Sequence, residues 1–254
     1  MGERAFRFID SAVTDVGRVR TVNEDSFVAA AQSGLWAVAD GMGGHENGQK
    51  ASRTVAEQLS SVEFQDDFDA DSMTIADAVH AANAAIWSEA SAAGKQMGST
   101  AAALFVNGHR FAVVWAGDSR VYLLREGSLH RLTRDHTQVQ EMVDRGYLTE
   151  AEAKNHPMSH VISRAVGVGP ELELEAVADQ VIGGDVFLLC SDGLYNMVSD
   201  EEIAHQLAQA SPHGASKALV DAALERGAPD NVTVIAVACE PVTLLTIPAA
   251  STES

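Results

Sequence analysis

Hydrophobic residues fall into short runs of strand character at Asp25–Ala30, Leu35–Ala39, Ala101–Val106, Phe111–Ala116, Val121–Leu124, Val186–Leu189 and Val232–Ala238. Several have no polar face, as in Phe111-Ala-Val-Val-Trp-Ala116, and such strands are covered on both sides. The linkers between Phe111 and Leu132 are short and carry Gly117 and Glu126-Gly127-Ser128, which predicts antiparallel hairpins between these neighbours. Helical periodicity occupies Gln49–Ser61, Met73–Ala93, Gln138–Arg145, Asp200–Ala210 and Gly214–Arg226. Ser199 with Glu202 three residues on spells a capping box at the start of the fourth of these. Two helices early, strands between and two helices late predict packed sheets with helices outside. The stretch Thr133–Gly169 is polar, His-rich and weakly periodic. It reads as a lobe inserted over the surface, with His136, His156 and His160 expected at solvent. Thr246–Ser254 reads as a frayed tail.

A length of 254 residues suits one large domain or two small ones, and no change of composition near the middle divides the chain, so one domain is expected. With 46% hydrophobic residues the chain can bury a substantial core. The net charge of −19 excludes nucleic acid and anionic membrane as natural partners over most of the surface. Part of that charge lies between Thr54 and Gly94, which holds no Lys or Arg while Glu63, Asp66, Asp67, Asp69, Asp71, Asp77 and Glu89 accumulate. This run reads as a solvated loop and helix face. The two cysteines, Cys190 and Cys239, stand inside apolar runs and read as buried thiols of a reducing compartment. The N-terminal residues carry no apolar signal core and no apolar run is long enough to span a bilayer, so a soluble, cytoplasmic protein is expected, with monomer the default.

The informative acids follow apolar strands and touch glycine: Leu35-Trp-Ala-Val-Ala-Asp40-Gly41, Val186-Phe-Leu-Leu-Cys-Ser-Asp192-Gly193 and Val113-Val-Trp-Ala-Gly-Asp118. Asp230 directly precedes the last strand run. A strand fixes the direction of its terminal side chain, and an adjacent glycine lets backbone or ligand approach. Carboxylates converging at a sheet end either take up protons or bind cations. All-oxygen ligands select Mg²⁺ or Mn²⁺ over zinc. Two such ions sharing a water can clamp an in-line displacement at phosphorus. Arg20, four residues before Glu24-Asp25, is the natural contact for phosphate oxygens.

These segments, with others, resemble the PP2C family of metal-dependent protein phosphatases. The similarity runs in order through Gly17-Arg-Val-Arg-Thr-Val-Asn-Glu-Asp25, Ala39-Asp-Gly-Met-Gly-Gly-His45, Gly98-Ser-Thr100, Ala116-Gly-Asp-Ser-Arg120, Leu132-Thr-Arg-Asp-His136, Ile162-Ser-Arg-Ala-Val-Gly167, Ser191-Asp-Gly-Leu194 and Ala228-Pro-Asp-Asn-Val-Thr-Val234. The Asp-Gly-Met-Gly-Gly-His form resembles the bacterial branch. The resemblance implies an α+β fold, a four-layer αββα sandwich of two antiparallel sheets flanked by helix pairs. It implies a phosphatase domain over residues 1–240, a flap at about 133–169 and a C-terminal tail at 241–254. It also implies two Mn²⁺ or Mg²⁺ ions: Asp40 bridges them, Gly41 lends its carbonyl, Asp192 and Asp230 complete one shell, and Glu24 contacts the other ion through water. Asp118 with Asp192 matches a third, weaker site. Asp25 and Asn231 stand behind the ligands, and Arg20 holds the phosphate. Met42 occupies the place where eukaryotic relatives carry a His proposed as general acid. The nearest substitute is His45, as acid or as a group that positions the substrate; a water on the metal is the other candidate acid.

The implied activity is hydrolysis of phosphoserine and phosphothreonine in proteins, with a Ser/Thr kinase or a partner-switching regulator as candidate partners. Cysteine phosphatase chemistry is excluded, because six residues after Cys190 stands Asn196 and no Arg follows Cys239. Asp69-Ala-Asp71 follows a polar run instead of a strand and so does not form an aspartyl nucleophile loop. The rival from another class is a catalytically inactive phosphoprotein-binding regulator of the same fold, against which stand Arg20, Glu24 and the four strand-end aspartates. A general esterase of small phosphoesters is a third reading.

Overall fold

The computed structural model describes residues 6–44, 46–154 and 156–242; the sequence-based tail at Thr246–Ser254 lies outside them, as does His45. Among the described residues eleven strands form two antiparallel sheets. The first sheet contains β1 (Phe6–Asp15), β11 (Val232–Pro241), β10 (Val186–Cys190), β7 (Arg120–Arg125) and β8 (Ser128–Arg131), in that spatial order. The second contains β2 (Asp25–Ala30), β3 (Leu35–Met42), β5 (Ala101–Asn107), β6 (Arg110–Ala116) and β9 (Glu175–Gln180) in order, with β4 (Gly98–Ser99) added to the end of β3.

Period-two alternation explains why the interior strands are apolar throughout. On β11, Ile235, Val237 and Cys239 enter the core between the sheets, while Val232, Val234 and Ala236 face the helices α6 (Asp200–Gln209) and α7 (Pro212–Glu225). On β3, Trp36 and Val38 enter the same central core, while Leu35, Ala37 and Ala39 face α1 (Glu46–Ser60) and α2 (Phe68–Ala93). Phe111 of β6 meets Phe187 of β10 edge-on, at 5.0 Å, across the gap. The result is the αββα sandwich, with both thiols buried in separate layers.

The turn between β7 and β8 is the predicted hairpin, with Glu126 and Gly127 both at positive φ, the geometry that matches strand twist. The predicted hairpin between β6 and β7 is not formed. Gly117-Asp118-Ser119 instead carries the chain from one sheet to the other, because β6 pairs with β5 and β9 while β7 pairs with β10 and β8. The last strand begins at Val232, as its sequence pattern suggests, but runs past Ala238 to Pro241, so the first residue of the expected 241–254 tail pairs with Phe6 in the sheet.

The capping box of Ser199 and Glu202 opens α6 as expected. Helix α2 starts at Phe68, five residues before Met73, because Asp67 accepts from the Ala70 amide and caps it. Asp71 in that acidic run is not solvated: it is fully buried and accepts from the Gln65 amide at 2.7 Å, fastening the preceding loop to the helix.

The stretch 133–169 holds α3 (Gln138–Asp144) and α4 (Glu150–Lys154) and is anchored at both ends. Thr137 bridges Ile162, and Val166 bridges Ser99. Asn83 of α2 accepts from the Gly167 amide and donates to the Gly169 carbonyl. His136, expected at solvent, is 7% exposed and stacks on Trp115. Burial, with Arg164 close by, lowers its pKa and favours the neutral ring.

Trp36 is fully buried at the centre and donates its indole N–H to Asp10 at 2.9 Å. Trp36→Ala is expected to lower unfolding free energy by about 3–5 kcal/mol. Tyr147→Ala, at a side chain 75% exposed, should change it by no more than about 0.5 kcal/mol. Urea denaturation of the two variants checks both values.

Candidate metal centre

Both sheets contribute to one polar end of the sandwich. Asp25 and Asp40 are cross-strand partners on β2 and β3. Asp192 follows β10, at the start of the short helix α5 (Asp192–Tyr195), and Asp230 lies two residues before β11. Asp118 sits in the sheet-crossing turn after β6 and is 5% exposed. The charges of Asp25, Asp192, Asp118 and Asp230 all act on Asp40.

Asp40 is held at both backbone atoms. Its amide donates to Thr100 Oγ1 at 2.9 Å, and its carbonyl accepts from the Thr100 amide at 2.8 Å. The Thr100 hydroxyl also meets the Ser119 hydroxyl at 2.6 Å, beside Asp118.

Asp25 Oδ2 accepts from Ser191 Oγ at 2.8 Å and from Thr233 Oγ1 at 2.6 Å, both residues of the other sheet's end. Because Thr233 spends its only hydroxyl proton on Asp25, Thr14 must donate to Thr233, and Asn23 Nδ2 donates to Thr14. Asn231 accepts from the Glu24 amide at 2.8 Å and donates to the carbonyls of Val16 and Val22. It thereby folds the Arg20–Glu24 loop against the strand that follows Asp230. Arg20 donates to Asp230 at 2.7 Å, half exposed, and also feels Glu24 and Asp40.

Gly48 of α1 marks a space that a side chain would fill. A Cβ there would lie 2.5 Å from Glu24 Oε1 and 2.9 Å from the Gly41 carbonyl oxygen. Both oxygens thus face one small space, as ligands of one hard ion must. Among the described residues no three carboxylate, imidazole or thiol groups form a ready cage for an ion. Hard cations that keep much of their water and take one or two carboxylates fit such spacing.

The electrostatics give the same account. Burial, then hydroxyl donors that oppose it, then Asp192 and Asp230, leave Asp25 pushed up to about 7. Burial with Asp192 and Asp135 takes Asp118 to about 7, and burial with Asp230 takes Asp192 to about 6. Burial and its acidic neighbours hold Asp40 well above the usual carboxylate range. Buried like charges of this kind are relieved by protons or by cations, so the donor set fits divalent ions.

The structure therefore brings together Arg20, Glu24, Asp25, Asp40, Gly41, Asp118, Asp192, Asp230 and Asn231, while His45 lies outside the described residues. Gly48, Thr100, Ser191 and Thr233 were given no role from sequence. Gly48 fell just outside the helix read from sequence, which starts at Gln49, whereas α1 starts at Glu46 and takes Gly48 into its first turn.

A family model described as Protein phosphatase 2C matches residues 11–142. The chain belongs to the protein phosphatase 2C family. It is 42% identical over 228 residues to the serine/threonine protein phosphatase PstP of Mycobacterium tuberculosis, which covers 89% of this chain but only 44% of that protein. It is 32% identical to the serine/threonine phosphatase stp of Listeria welshimeri, over 88% of this chain and 93% of that protein. Among solved structures, the catalytic domain of PstP in complex with two manganese ions superimposes with a TM-score of 0.83 at 38% identity, covering 92% of this chain and 99% of that one. The family is metal-dependent. Among the described residues of this member no helix is long and apolar enough to cross a membrane.

Asp25, Asp118 and Asp192, ordinarily near 3.8, hold protons in the metal-free fold up to about pH 6 to 7. In that window the native state binds more protons than the unfolded chain, so stability falls as pH rises. Thermal melts of metal-stripped protein should lose Tm steadily between about pH 4 and about pH 7. Added Mn²⁺ should raise Tm more at the alkaline end of that range than at the acid end, since binding displaces those protons.

Proposed function

We propose that the chain is a protein serine/threonine phosphatase that hydrolyses phosphoserine and phosphothreonine with water activated at a binuclear manganese or magnesium centre. The observation that carries this reading is the convergence of Asp40, Asp118, Asp192 and Asp230 from two sheets at one junction, where burial and neighbouring acids raise the protonation of Asp40, Asp118 and Asp192. Family membership and the two-manganese complex of PstP support it.

The divalent ions, when bound, lower the pKa of water and neutralise phosphoester oxygens. In this reading Asp40 would hold both ions, Gly41 and Glu24 would supply oxygens on the Gly48 side, Asp192 and Asp230 would complete the ligands of one ion, and Asp118 with Asp192 would hold a third, weaker ion. Asp25 and Asn231 hold these groups in place from behind. Arg20 turns from Asp230 to the substrate phosphate, whose geometry suits a guanidinium fork. His45 is the candidate acid or positioning group for the leaving oxygen.

A cleft of about 430 Å³ runs between the segment 137–160 and the residues from Tyr195 to Glu201, and Asn196 on its wall donates to Asp192 at 3.2 Å. It is the route for the polypeptide that bears the phosphate, with 133–169 as the flap of a catalytic domain over residues 1–240. The buried free thiols fit a cytoplasmic protein, acting on phosphorylated proteins such as a Ser/Thr kinase or a partner-switching regulator.

Hydrolysis of a phosphothreonine peptide with Mn²⁺, with Mg²⁺ and with chelator tests the assignment. Turnover should require metal, vanish with chelator and be absent in Asp40→Ala. Folded protein that binds the peptide yet turns nothing over with either metal would move the assignment to an inactive phosphoprotein-binding module. Gly48→Ala, whose Cβ would press on Glu24 and Gly41, should raise the Mn²⁺ concentration for half-maximal activity about tenfold or more. Metal titration of the peptide assay measures the shift.

A further inference from the structure

Asp118 follows a residue that cannot hold itself in place. Gly117 sits at φ +107, and a Cβ there would lie within 2.7 Å of the Thr100 side chain, so only glycine fits. Both backbone polar atoms of Gly117 are taken by one residue. The His136 amide donates to the Gly117 carbonyl at 3.0 Å, and the Gly117 amide donates to His136 Nδ1 at 3.1 Å. An accepting Nδ1 puts the ring proton on Nε2, which faces Glu175 Oε1 at 3.2 Å. The ring lies 6.2 Å from that of Trp115 at 15°, and the Trp115 indole donates to the Arg134 carbonyl at 2.9 Å. Residues 134–136 thus grip residues 115–117, one position short of Asp118. The same His136 offers its carbonyl to the Ser163 amide at 2.8 Å, next to the bridge between Thr137 and Ile162.

We propose that His136 is a positioning residue for Asp118, fixing the carboxylate through Gly117 by an accepting Nδ1 and joining it to the base of the 133–169 segment. The proposal rests on the reading of Asp118 as a metal carboxylate. A group that orients a ligand from behind contributes about tenfold or more to metal affinity or activity. The requirement is for an acceptor at Nδ1, beyond a flat ring that fills the space. Asn places an amide oxygen near the Nδ1 position, whereas Phe keeps the ring and its stack on Trp115 but accepts nothing.

Calorimetric titration of the full chain with Mn²⁺ separates the two, alongside Asp118→Asn as reference. His136→Phe should weaken the Mn²⁺ sites that Asp118→Asn weakens, by about tenfold, with little change in KM for phosphopeptide at saturating metal. His136→Asn should stay near wild type. A merely structural His gives the reverse order, because Phe preserves packing better than Asn, and that order overturns the proposal. An Asp118→Asn isotherm like wild type removes the metal role of Asp118 and the proposal with it. A changed Asp118→Asn isotherm beside an unchanged His136→Phe isotherm overturns the proposal alone. Should His136→Phe fail to fold, ¹⁵N chemical shifts of the wild-type imidazole decide: a bare Nδ1 with a protonated Nε2 supports the clamp, and a protonated Nδ1 overturns it.

Discussion

Two sheets that share an apolar core are held together along their centres by burial, but their ends need a polar tie if loops there are to keep fixed positions. In this protein the tie is Asp25. Its carboxylate leaves β2 and takes two hydroxyl protons, from Ser191 after β10 and from Thr233 on β11. The donors belong to one sheet and the acceptor to the other. Thr14 and Asn23 extend the chain of donors behind Thr233, so every proton in it is directed toward the buried acid. Asp192 is bonded in sequence to one donor, Asp230 lies three residues before the other, and Asp40 pairs with Asp25 itself. Where Asp25 sits therefore decides where three of the candidate ligands sit.

That arrangement carries an electrostatic penalty that the fold does not relieve internally. Arg20 is ion-paired to this group through Asp230 but is half exposed, and His160 and Arg120 offset the charge of Asp192 only in part, since its carboxyl still stands pushed up to about 6. Charged carboxylates in a buried group demand either protons or cations, and at neutral pH protons are only partly retained by groups pushed to about 6 or 7. Backbone atoms are fixed so that repulsion cannot simply spread the site apart. Thr100 grips Asp40 at its amide and carbonyl, Asn231 grips the Glu24 loop, and His136 grips Gly117. A rigid frame around mutually repelling oxygens favours a small, doubly charged ion over relaxation of the chain.

The chain displays much of this openly and hides the rest for physical reasons. Strands buried on both faces, such as β3, β6 and β11, announce themselves as continuous apolar runs. The longer strands without such a signal, β1, β8 and β9, are all sheet edges, where one side meets solvent and charged residues such as Arg7, Asp10 and Asp179 interrupt the pattern. The turn after β6 looked like a hairpin because glycine and short length are common to hairpins and to sheet crossings; the pairing partners, which no local pattern encodes, decide between them. Among site residues, acids at strand ends were legible through their flanking glycines. Their holders were not, because Ser191, Thr233 and Thr100 are small polar residues whose partners lie far away in sequence. His136 was misread because a polar stretch conceals the one turn that folds inward against Trp115.

That inward turn bears on how the cleft and the carboxylates are related. The segment 133–169 lines the cleft through Thr137, Gln140 and His160, so the cleft's shape follows the position of the segment. Its two ends are fastened next to the ligand frame: His136 to Gly117 before Asp118, and Val166 to Ser99 before Thr100, which holds Asp40. Movement of the segment as a body must either break these fastenings or be felt at both carboxylates. The segment can therefore vary in its exposed helical faces while its two anchors remain fixed, and under the proposed function a polypeptide in the cleft would press on the same residues that position Asp40 and Asp118. Under the proposed function, the fit of a substrate and the geometry of the carboxylates would be mechanically one problem, coupled by the hydrogen bonds at Gly117 and at Ser99–Thr100.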